Sequence, residues 1–131
     1  MSIEWDENLK TGISIIDEQH QELLVMLNRL SRFRCGKENL IDAFNELQDY
    51  ADIHFKTEED CMISTKYSEY DGHKSCHDKF VEDLEIIRKK IDSTENICDL
   101  GDELFHFVED WIINHYSNED VKLASYIKKH S

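Results

Sequence analysis

Four stretches of the chain repeat apolar residues at alternating steps of three and four positions, the spacing of a helix that buries one face. The third stretch shows the pattern most clearly, with Phe80, Leu84 and Ile87 at these steps. The 131 residues include no proline and only four glycines, so little in the sequence would interrupt long helices. The spacing therefore predicts a chain built almost entirely from α-helices.

The connections between these stretches are short, and short connections favour antiparallel neighbours. We therefore expect an all-α fold class, an up-down-up-down antiparallel four-helix bundle in a single domain over residues 1–131. Residues 1 to about 17 should form an N-terminal arm with Trp5 as a packing anchor, and a short C-terminal helix should cover about 120–129. The long helices are expected at about 18–35, 38–64, 71–92 and 95–116.

Residues at two of the connections are typical of helix ends. Gly36 follows the first stretch and is placed to cap the C-terminus of its helix. Ser93, Thr94 and Asn96 precede the fourth stretch and offer side chains that can cap a helix N-terminus. Both features support a boundary between helices at these points.

The formal net charge of −14 argues against two classes of partner. Nucleic acids and anionic membrane surfaces bind clusters of Lys and Arg, and an acidic chain repels both. The N-terminus shows no basic segment followed by an apolar run, and no apolar stretch reaches the length of a membrane span. We therefore expect a cytoplasmic protein that binds neither nucleic acid nor membrane.

The four cysteines form no C-x-x-C pair and match no zinc module. In a reducing compartment they are expected to be free thiols. Their positions on the predicted helices place Cys35 and Cys98 toward one end of the bundle, and Cys61 and Cys76 toward the other. This layout leaves a disulfide or redox role open as the alternative.

Five of the seven histidines, together with one glutamate, occupy core-facing positions of the predicted helices. Burial of an unpaired carboxylate costs several kcal/mol, so such groups are usually paired or bound to metal. One buried histidine is more often structural, but five with a carboxylate on four inward faces favour a metal site. Antiparallel packing brings them to one end of the bundle. They are His20, His54, Glu58, His73, His77 and His115.

The ligand types narrow the choice of metal. Five neutral imidazoles exceed what one four-coordinate zinc needs, and the chain has no HExxH motif. Two metals that share bridging carboxylates fit better, although the chain does not carry the pattern of carboxylate-rich di-iron bundles, which is two Glu-x-x-His motifs and a Glu from each of two other helices. Neutral ligands should stabilise iron(II), which favours reversible dioxygen binding over cleavage of dioxygen.

With these residues the chain resembles the hemerythrin family, in particular its single-domain bacterial members. The resemblance runs through most of the sequence, and the complete set of five histidines and two carboxylates stands at the family spacing. The matching motifs are Ile16-Asp17-x-Gln19-His20, His54-Phe55-x-x-Glu58-Glu59, His73-x-x-x-His77-x-x-Phe80 and Trp111-x-x-x-His115-x-x-x-x-Asp120.

The resemblance implies a cofactor of two non-heme iron ions joined by an oxo or hydroxo bridge. One iron would be bound by three histidines and the other by two, and two carboxylates would bridge them. Dioxygen would bind reversibly, as hydroperoxide, at the two-histidine iron. The implied ligands are His73, His77 and His115 for the first iron, His20 and His54 for the second, and Glu58 and Asp120 for the bridges.

The function implied by the resemblance is storage, delivery or sensing of dioxygen, with no enzymatic activity. Phe55, Trp111 and Ile112 would line the dioxygen pocket and exclude water. The alternatives are a di-iron enzyme that handles peroxide or nitric oxide, and an iron- or redox-responsive module.

The second bridging carboxylate is ambiguous from spacing alone. Glu119 lies four residues after His115, which places the two on one face of an α-helix. The family pattern selects Asp120 instead. That choice requires the helix to change direction near Ser117 and Asn118, which are poor residues for a helix interior.

Overall fold

The structure is a computed structural model that describes residue 7 and residues 10–33 and 35–130. Trp5, the expected anchor of the N-terminal arm, lies outside the described residues. Five α-helices follow one another in the described part of the chain, with no strand among those residues. They are α1 (Ser14–Phe33), α2 (Lys37–Ser64), α3 (Tyr70–Lys89), α4 (Ile97–Asn114) and α5 (Val121–His130).

The four long helices form a closed ring in which each helix packs on two neighbours. Helices α1 and α3 each pack against both α2 and α4. A disulfide joins Cys35, just after α1, to Cys98 in the first turn of α4, so these two helices run in opposite directions. The prediction of an all-α four-helix bundle is therefore confirmed.

The disulfide corrects the expectation that all four cysteines are free thiols. The end of α1 and the start of α4 meet at one end of the bundle, where the Cα atoms of Cys35 and Cys98 lie 4.2 Å apart. The sequence places both residues at this level but cannot show that their side chains face each other. Cys61 and Cys76 are free, as expected.

Apolar packing fills the half of the bundle nearest the disulfide. It is continuous across all four long helices, and its most deeply buried members are 0–6% exposed. This half acts as the rigid support for the opposite end, where the predicted metal ligands lie. The residues are Leu27, Leu30, Leu40, Phe44, Leu84, Ile87, Ile91, Leu100 and Leu104.

One predicted helix end is confirmed and another is wrong. The side chain of Asn96 accepts a hydrogen bond from the backbone N–H of Asp99 at 3.2 Å, which caps the start of α4. Gly36 does not cap α1 in a left-handed conformation. Its φ of −98° and ψ of 127° are extended, and it is the residue that precedes α2.

The carboxylate of Asp17 stabilises the turn that precedes α1. The carboxylate oxygens of Asp17 accept hydrogen bonds from the backbone N–H and hydroxyl of Thr11, at 2.8 and 2.7 Å, and from the N–H of Gly12, at 3.0 Å. Gly12 has a φ of +84°, a conformation that suits glycine. These bonds hold the turn before α1 against the helix, one turn before His20.

At its C-terminal end α4 continues as a π-helical turn over His115–Asp120, and α5 follows directly. The helix α5 lies over the end of α2, where Leu123 packs with Met62 and Tyr67 in a second small cluster. The hydroxyl of Tyr126 donates to the carbonyl of Thr65 at 2.7 Å. This end of the bundle is therefore closed by α5. None of the described helices has the length and apolar character needed to cross a membrane.

Candidate metal centre

All seven residues that the sequence singles out as metal ligands are buried side by side at the end of the bundle closed by α5. Each is at most 4% exposed. Helix α1 contributes one of them, α2 and α3 contribute two each, and the π-helical turn contributes the last two. In that order they are His20; His54 and Glu58; His73 and His77; and His115 and Asp120.

The π-helical turn decides which carboxylate joins the histidines. A π turn pairs residues five apart, whereas an α-helix pairs residues four apart. Asp120, five residues after His115, therefore faces inward, and its Oδ1 lies 3.0 Å from His115 Nε2. Glu119 stays partly exposed on the outer wall. The structure places Asp120 in the cluster, and its role as an iron ligand remains a proposal.

Polar side chains support the change of register. Ser117 Oγ donates to the carbonyl of Ile113, and Asn118 Nδ2 donates to the carbonyl of Asn114 at 2.8 Å. Ser and Asn compete in this way for backbone groups one turn earlier in a helix. The residues that made an ordinary α-helix unfavourable in the sequence thus stabilise the wider turn.

The Nε2 atoms of all five histidines point at the two carboxylates. On one side, the Nε2 atoms of His73 and His77 lie 3.1 Å from Asp120 Oδ1 and 3.0 Å from Glu58 Oε1, respectively. On the other side, His20 Nε2 lies 2.8 Å from Asp120 Oδ2. Glu58 and Asp120 therefore stand between two groups of imidazoles.

The candidate ligand atoms form two overlapping groups, and within each group all atoms lie within 4.8 Å of one another. Both groups contain Glu58 and Asp120. The first adds three histidines and the second adds two, and we call them the three-histidine set and the two-histidine set. The three-histidine set adds His73, His77 and His115, and the two-histidine set adds His20 and His54.

Unsatisfied polar atoms show that this cluster fits cations. Among the described residues, every buried side-chain nitrogen or oxygen without a hydrogen-bond partner belongs to the seven candidate ligands. Glu58 Oε2 and both carboxylate oxygens of Asp120 are among them. The two oxygens of Asp120 lie 2.8–3.1 Å from imidazole Nε2 atoms without an accepted hydrogen bond. Buried groups of this kind are stabilised by metal ions. Imidazole and carboxylate suit iron among the first-row metals.

Two of the histidine rings donate hydrogen bonds from Nδ1 to side chains to which the sequence analysis gave no role. His54 Nδ1 donates to Gln19 Oε1 at 2.6 Å, and His77 Nδ1 donates to Glu59 Oε2 at 2.9 Å. Because Nδ1 carries the proton, Nε2 of each ring is free to bind metal. The sequence does contain a hint of both contacts. Gln19 and Glu59 each stand next to a predicted ligand inside a motif shared with the family.

Two tyrosines, also missed by the sequence interpretation, cover the two-histidine set. The ring of Tyr116 stacks on His20 at 3.5 Å between centroids, and that of Tyr50 stacks on His54 at 5.2 Å. Their hydroxyls lie 2.6 Å apart and share a hydrogen bond. Burial raises the pKa of both phenols well above the ordinary value, so both stay neutral.

Two of the three residues expected to line a dioxygen pocket stack on ligands of the three-histidine set, and not on the set at which dioxygen is expected. Phe55 stacks on His77 at 3.9 Å, and Trp111 stacks on His115 at 4.2 Å, so both rings face the three-histidine set. Ile112 is fully buried in the core. Trp111 and His115 also line an open surface groove of about 600 Å³. The role of these residues in dioxygen binding remains a prediction.

The pKa values of the two buried carboxyl groups are shifted in opposite directions. The pKa of Glu58 is raised well above its ordinary value by burial and by the negative charge of Asp120. Burial also opposes ionisation of Asp120, but the electrostatic attraction of His115, together with the nearby Nε2 atoms of His20 and His54, outweighs it and holds the pKa of Asp120 well below its ordinary range. Burial lowers the pKa of His54 to about 4 and that of His77 to about 2. Both imidazoles are therefore neutral near pH 7, the form that binds metal.

Comparisons with known proteins agree on one family. A family model described as "Hemerythrin HHE cation binding domain" matches residues 11–127. A bacteriohemerythrin of Pseudomonas aeruginosa is 35% identical over 118 residues, which cover 88% of this chain and 75% of that protein. A hemerythrin-like protein of Naegleria gruberi is 31% identical over 118 residues, or 90% of this chain and 87% of that protein.

A third relative extends the match further along the chain. A bacteriohemerythrin of Stenotrophomonas maltophilia is 30% identical over 128 residues, which cover 96% of this chain and 82% of that protein. The family match includes all seven buried candidate ligands. The chain therefore belongs to the hemerythrin family.

Proposed function

We propose that this chain binds dioxygen reversibly at a centre of two non-heme iron ions. The observation that carries the proposal is the pair of overlapping ligand groups, in which five imidazoles surround two shared, buried carboxylates. A site for one metal would not need two groups that share their anionic members. The names of the relatives, bacteriohemerythrin and hemerythrin-like protein, support the same centre.

The two ligand sets give the two irons different coordination. The three-histidine set offers three nitrogens and two shared carboxylates, so a bridging oxo or hydroxo group from water would complete six ligands. The two-histidine set offers one nitrogen fewer, so an iron held by it would have one ligand fewer. Dioxygen would bind at that iron. The two sets are His73, His77 and His115, and His20 and His54, with Glu58 and Asp120 shared.

Two ferrous ions held by these residues would supply the two electrons that dioxygen takes up on binding and returns on release. Residues of the chain would favour the return of these electrons to iron and the release of dioxygen. Five imidazoles, which bind metal in their neutral form, and only two carboxylates would hold the irons, so the ligands would not favour highly oxidised iron. The rings of Phe55, Tyr50 and Tyr116 pack against the ligands and exclude water.

A cycle of oxygenation and deoxygenation tests the proposal. The purified chain is loaded with ferrous iron without air, its iron content is measured, and the visible spectrum is recorded as air is admitted and removed. We expect two irons per chain and an absorption band that appears with air and disappears without it. A His115→Ala variant, which lacks one candidate ligand, is the control and should bind less iron.

Two outcomes would contradict the proposal. Fewer than two irons per chain would exclude the centre itself. Two irons with rapid, irreversible oxidation in air would instead favour an enzyme or a redox-responsive module. Storage, delivery and sensing of dioxygen, the cytoplasmic location and the lack of enzymatic activity remain predictions.

A further inference from the structure

Two candidate ligands in different sets are held at Nδ1 by side chains of different charge. His54, of the two-histidine set, donates to the neutral amide of Gln19, and His77, of the three-histidine set, donates to the carboxylate of Glu59. The two distances are similar, 2.6 and 2.9 Å. Charge is therefore the main difference between the two contacts.

The amide of Gln19 is fixed in the orientation that presents its oxygen to His54. Gln19 Nε2 donates to the hydroxyl of Thr57 at 3.2 Å, and that hydroxyl donates to the carbonyl of Ile53 at 2.9 Å. Gln19 is 8% exposed, so little solvent competes for its amide. The neutral acceptor behind His54 is thus part of an ordered chain of hydrogen bonds from α2 to α1.

The carboxylate of Glu59 is held between a ligand and a cation. Its Oε2 accepts from His77, and its Oε1 lies 3.9 Å from the ammonium of Lys74, the residue one helical turn before His77 on α3. The side chain of Glu59 is 21% exposed, which leaves the carboxylate partly shielded. Glu58, its neighbour in sequence, is one of the two shared carboxylates, so one turn of α2 supplies both an inner and an outer carboxylate.

A carboxylate behind a metal-bound imidazole acts differently from an amide. It draws the Nδ1 proton more strongly, which increases the electron density at Nε2 and strengthens the bond from Nε2 to a metal. Greater donation also favours the higher oxidation state of that metal. The effect acts on one ring of the three-histidine set, whereas the two-histidine set has only the neutral amide.

We propose that Glu59 and Gln19 are positioning residues that make the two metal positions unequal, with the three-histidine position binding metal more tightly and favouring ferric iron. The inference rests on the proposed function, because it assigns unequal properties to the same two positions. It explains why similar hydrogen bonds are built from different side chains. An iron at the two-histidine position would then be the more easily reduced of the two.

Substitution of Glu59 by glutamine separates charge from hydrogen bonding. Glu59→Gln keeps an oxygen acceptor of the same size for His77 Nδ1 and removes only the charge. Asp60→Asn is the matched control, because Asp60 follows in sequence, loses the same charge and is 63% exposed in an ion pair with Lys56. Gln19→Glu is the reciprocal variant, which adds a carboxylate behind His54.

Titration of the metal-free protein with Co²⁺ without air gives a readout independent of dioxygen. The wild type should bind two Co²⁺ ions, one more tightly than the other. We expect Glu59→Gln to weaken the tighter site by about 10- to 100-fold, the usual effect of changing a hydrogen-bond partner of a metal ligand. Asp60→Asn should match the wild type. Gln19→Glu should tighten the weaker site.

The reduction potential of the iron-loaded protein is the second readout, because a merely structural role would not shift it in opposite directions. Glu59→Gln should raise the potential, and Gln19→Glu should lower it. Equal Co²⁺ affinities and potentials for Glu59→Gln and Asp60→Asn, with two ions bound, would overturn this inference alone. Failure of the wild type to bind two ions would overturn the proposed function with it.

Discussion

Asp120 and Glu119 differ by one position in sequence and by their place in the molecule. In an unbroken α-helix Glu119 would share a face with His115, and the sequence spacing favours it for that reason. The π-helical turn brings Asp120 inward, where it is fully buried, and leaves Glu119 on the outer wall. A single change of register thus selects one of two adjacent carboxylates.

Alanine substitutions at these two positions should have unequal effects on iron content. Asp120→Ala removes a carboxylate shared by both ligand sets, so we expect iron content to fall from two ions per chain to one or none. Glu119→Ala removes no atom of the cluster and should retain two ions. Iron analysis of the purified variants measures both. Loss of iron in Glu119→Ala with retention in Asp120→Ala would contradict the placement of Asp120.

The hydroxyls of Tyr50 and Tyr116 should show strong energetic coupling. Replacement of either residue by phenylalanine leaves the other buried hydroxyl without its partner, which should lower the free energy of unfolding by about 1–3 kcal/mol. The double variant removes both hydroxyls and should lose less than the sum of the single variants. Urea unfolding of the three variants measures the coupling, and additive effects would show that the 2.6 Å contact contributes nothing to stability.

The metal-free protein should lose stability as the pH falls below about 6.5. The pKa of His54 is lowered to about 4 and that of His77 to about 2, so the unfolded chain binds up to two more protons than the folded chain below pH 6.5. The raised pKa of Glu58 acts in the opposite direction above its ordinary value of 4.5, because the folded chain keeps that proton. The two histidines outweigh the glutamate near pH 5, where the unfolded chain carries an excess of roughly one proton, so the free energy of unfolding falls as the pH falls from 6.5 to 5.

Urea unfolding of the metal-free protein between pH 5 and pH 6.5 checks this trend. His77→Gln removes one of the two histidines and should bring the dependence on pH close to zero in this range. A free energy of unfolding that is constant in the wild type, or higher at pH 5 than at pH 6.5, would contradict the assignment of neutral, buried imidazoles.

At the scale of helices, the periodicity of the sequence predicted which segments are helical and which face of each helix is buried. The inward stripe of α3 runs from His73 to Ile87 without interruption, so this helix and its buried face follow from spacing alone. The π-helical turn could not be predicted in the same way, because its register depends on packing between α4, α5 and the bundle. Gly36 was misjudged since its conformation is set by the start of α2 and not by the end of α1.

The disulfide between Cys35 and Cys98 should contribute strongly to stability. The bond joins residues 63 positions apart, and closure of a loop of that length stabilises a fold by up to about 4 kcal/mol. Dithiothreitol should therefore lower the free energy of unfolding by up to that amount. The Cys35→Ser/Cys98→Ser double variant should be insensitive to dithiothreitol. Four reactive thiols in the denatured, non-reduced protein would show that the bond does not form in solution.

At the scale of the whole molecule, the bundle divides into a half that packs and a half that is arranged for chemistry. The sequence predicted this division, because the apolar stripes and the histidines occupy opposite ends of the same four helices. It could not predict the outer contacts of Gln19, Glu59, Tyr50 and Tyr116. Those contacts depend on how each helix is rotated about its axis relative to its neighbours. The spacing of residues within one helix does not determine that rotation.

The central claim is that five histidines and two shared carboxylates hold two irons in unequal sets. Anomalous X-ray diffraction at the iron edge, from crystals of the iron-loaded protein, tests it most directly. We predict two iron peaks per chain, one bound by His73, His77 and His115 and the other by His20 and His54, with Glu58 and Asp120 reaching both. A single peak, or a second iron held by Glu119 in place of Asp120, would contradict the account.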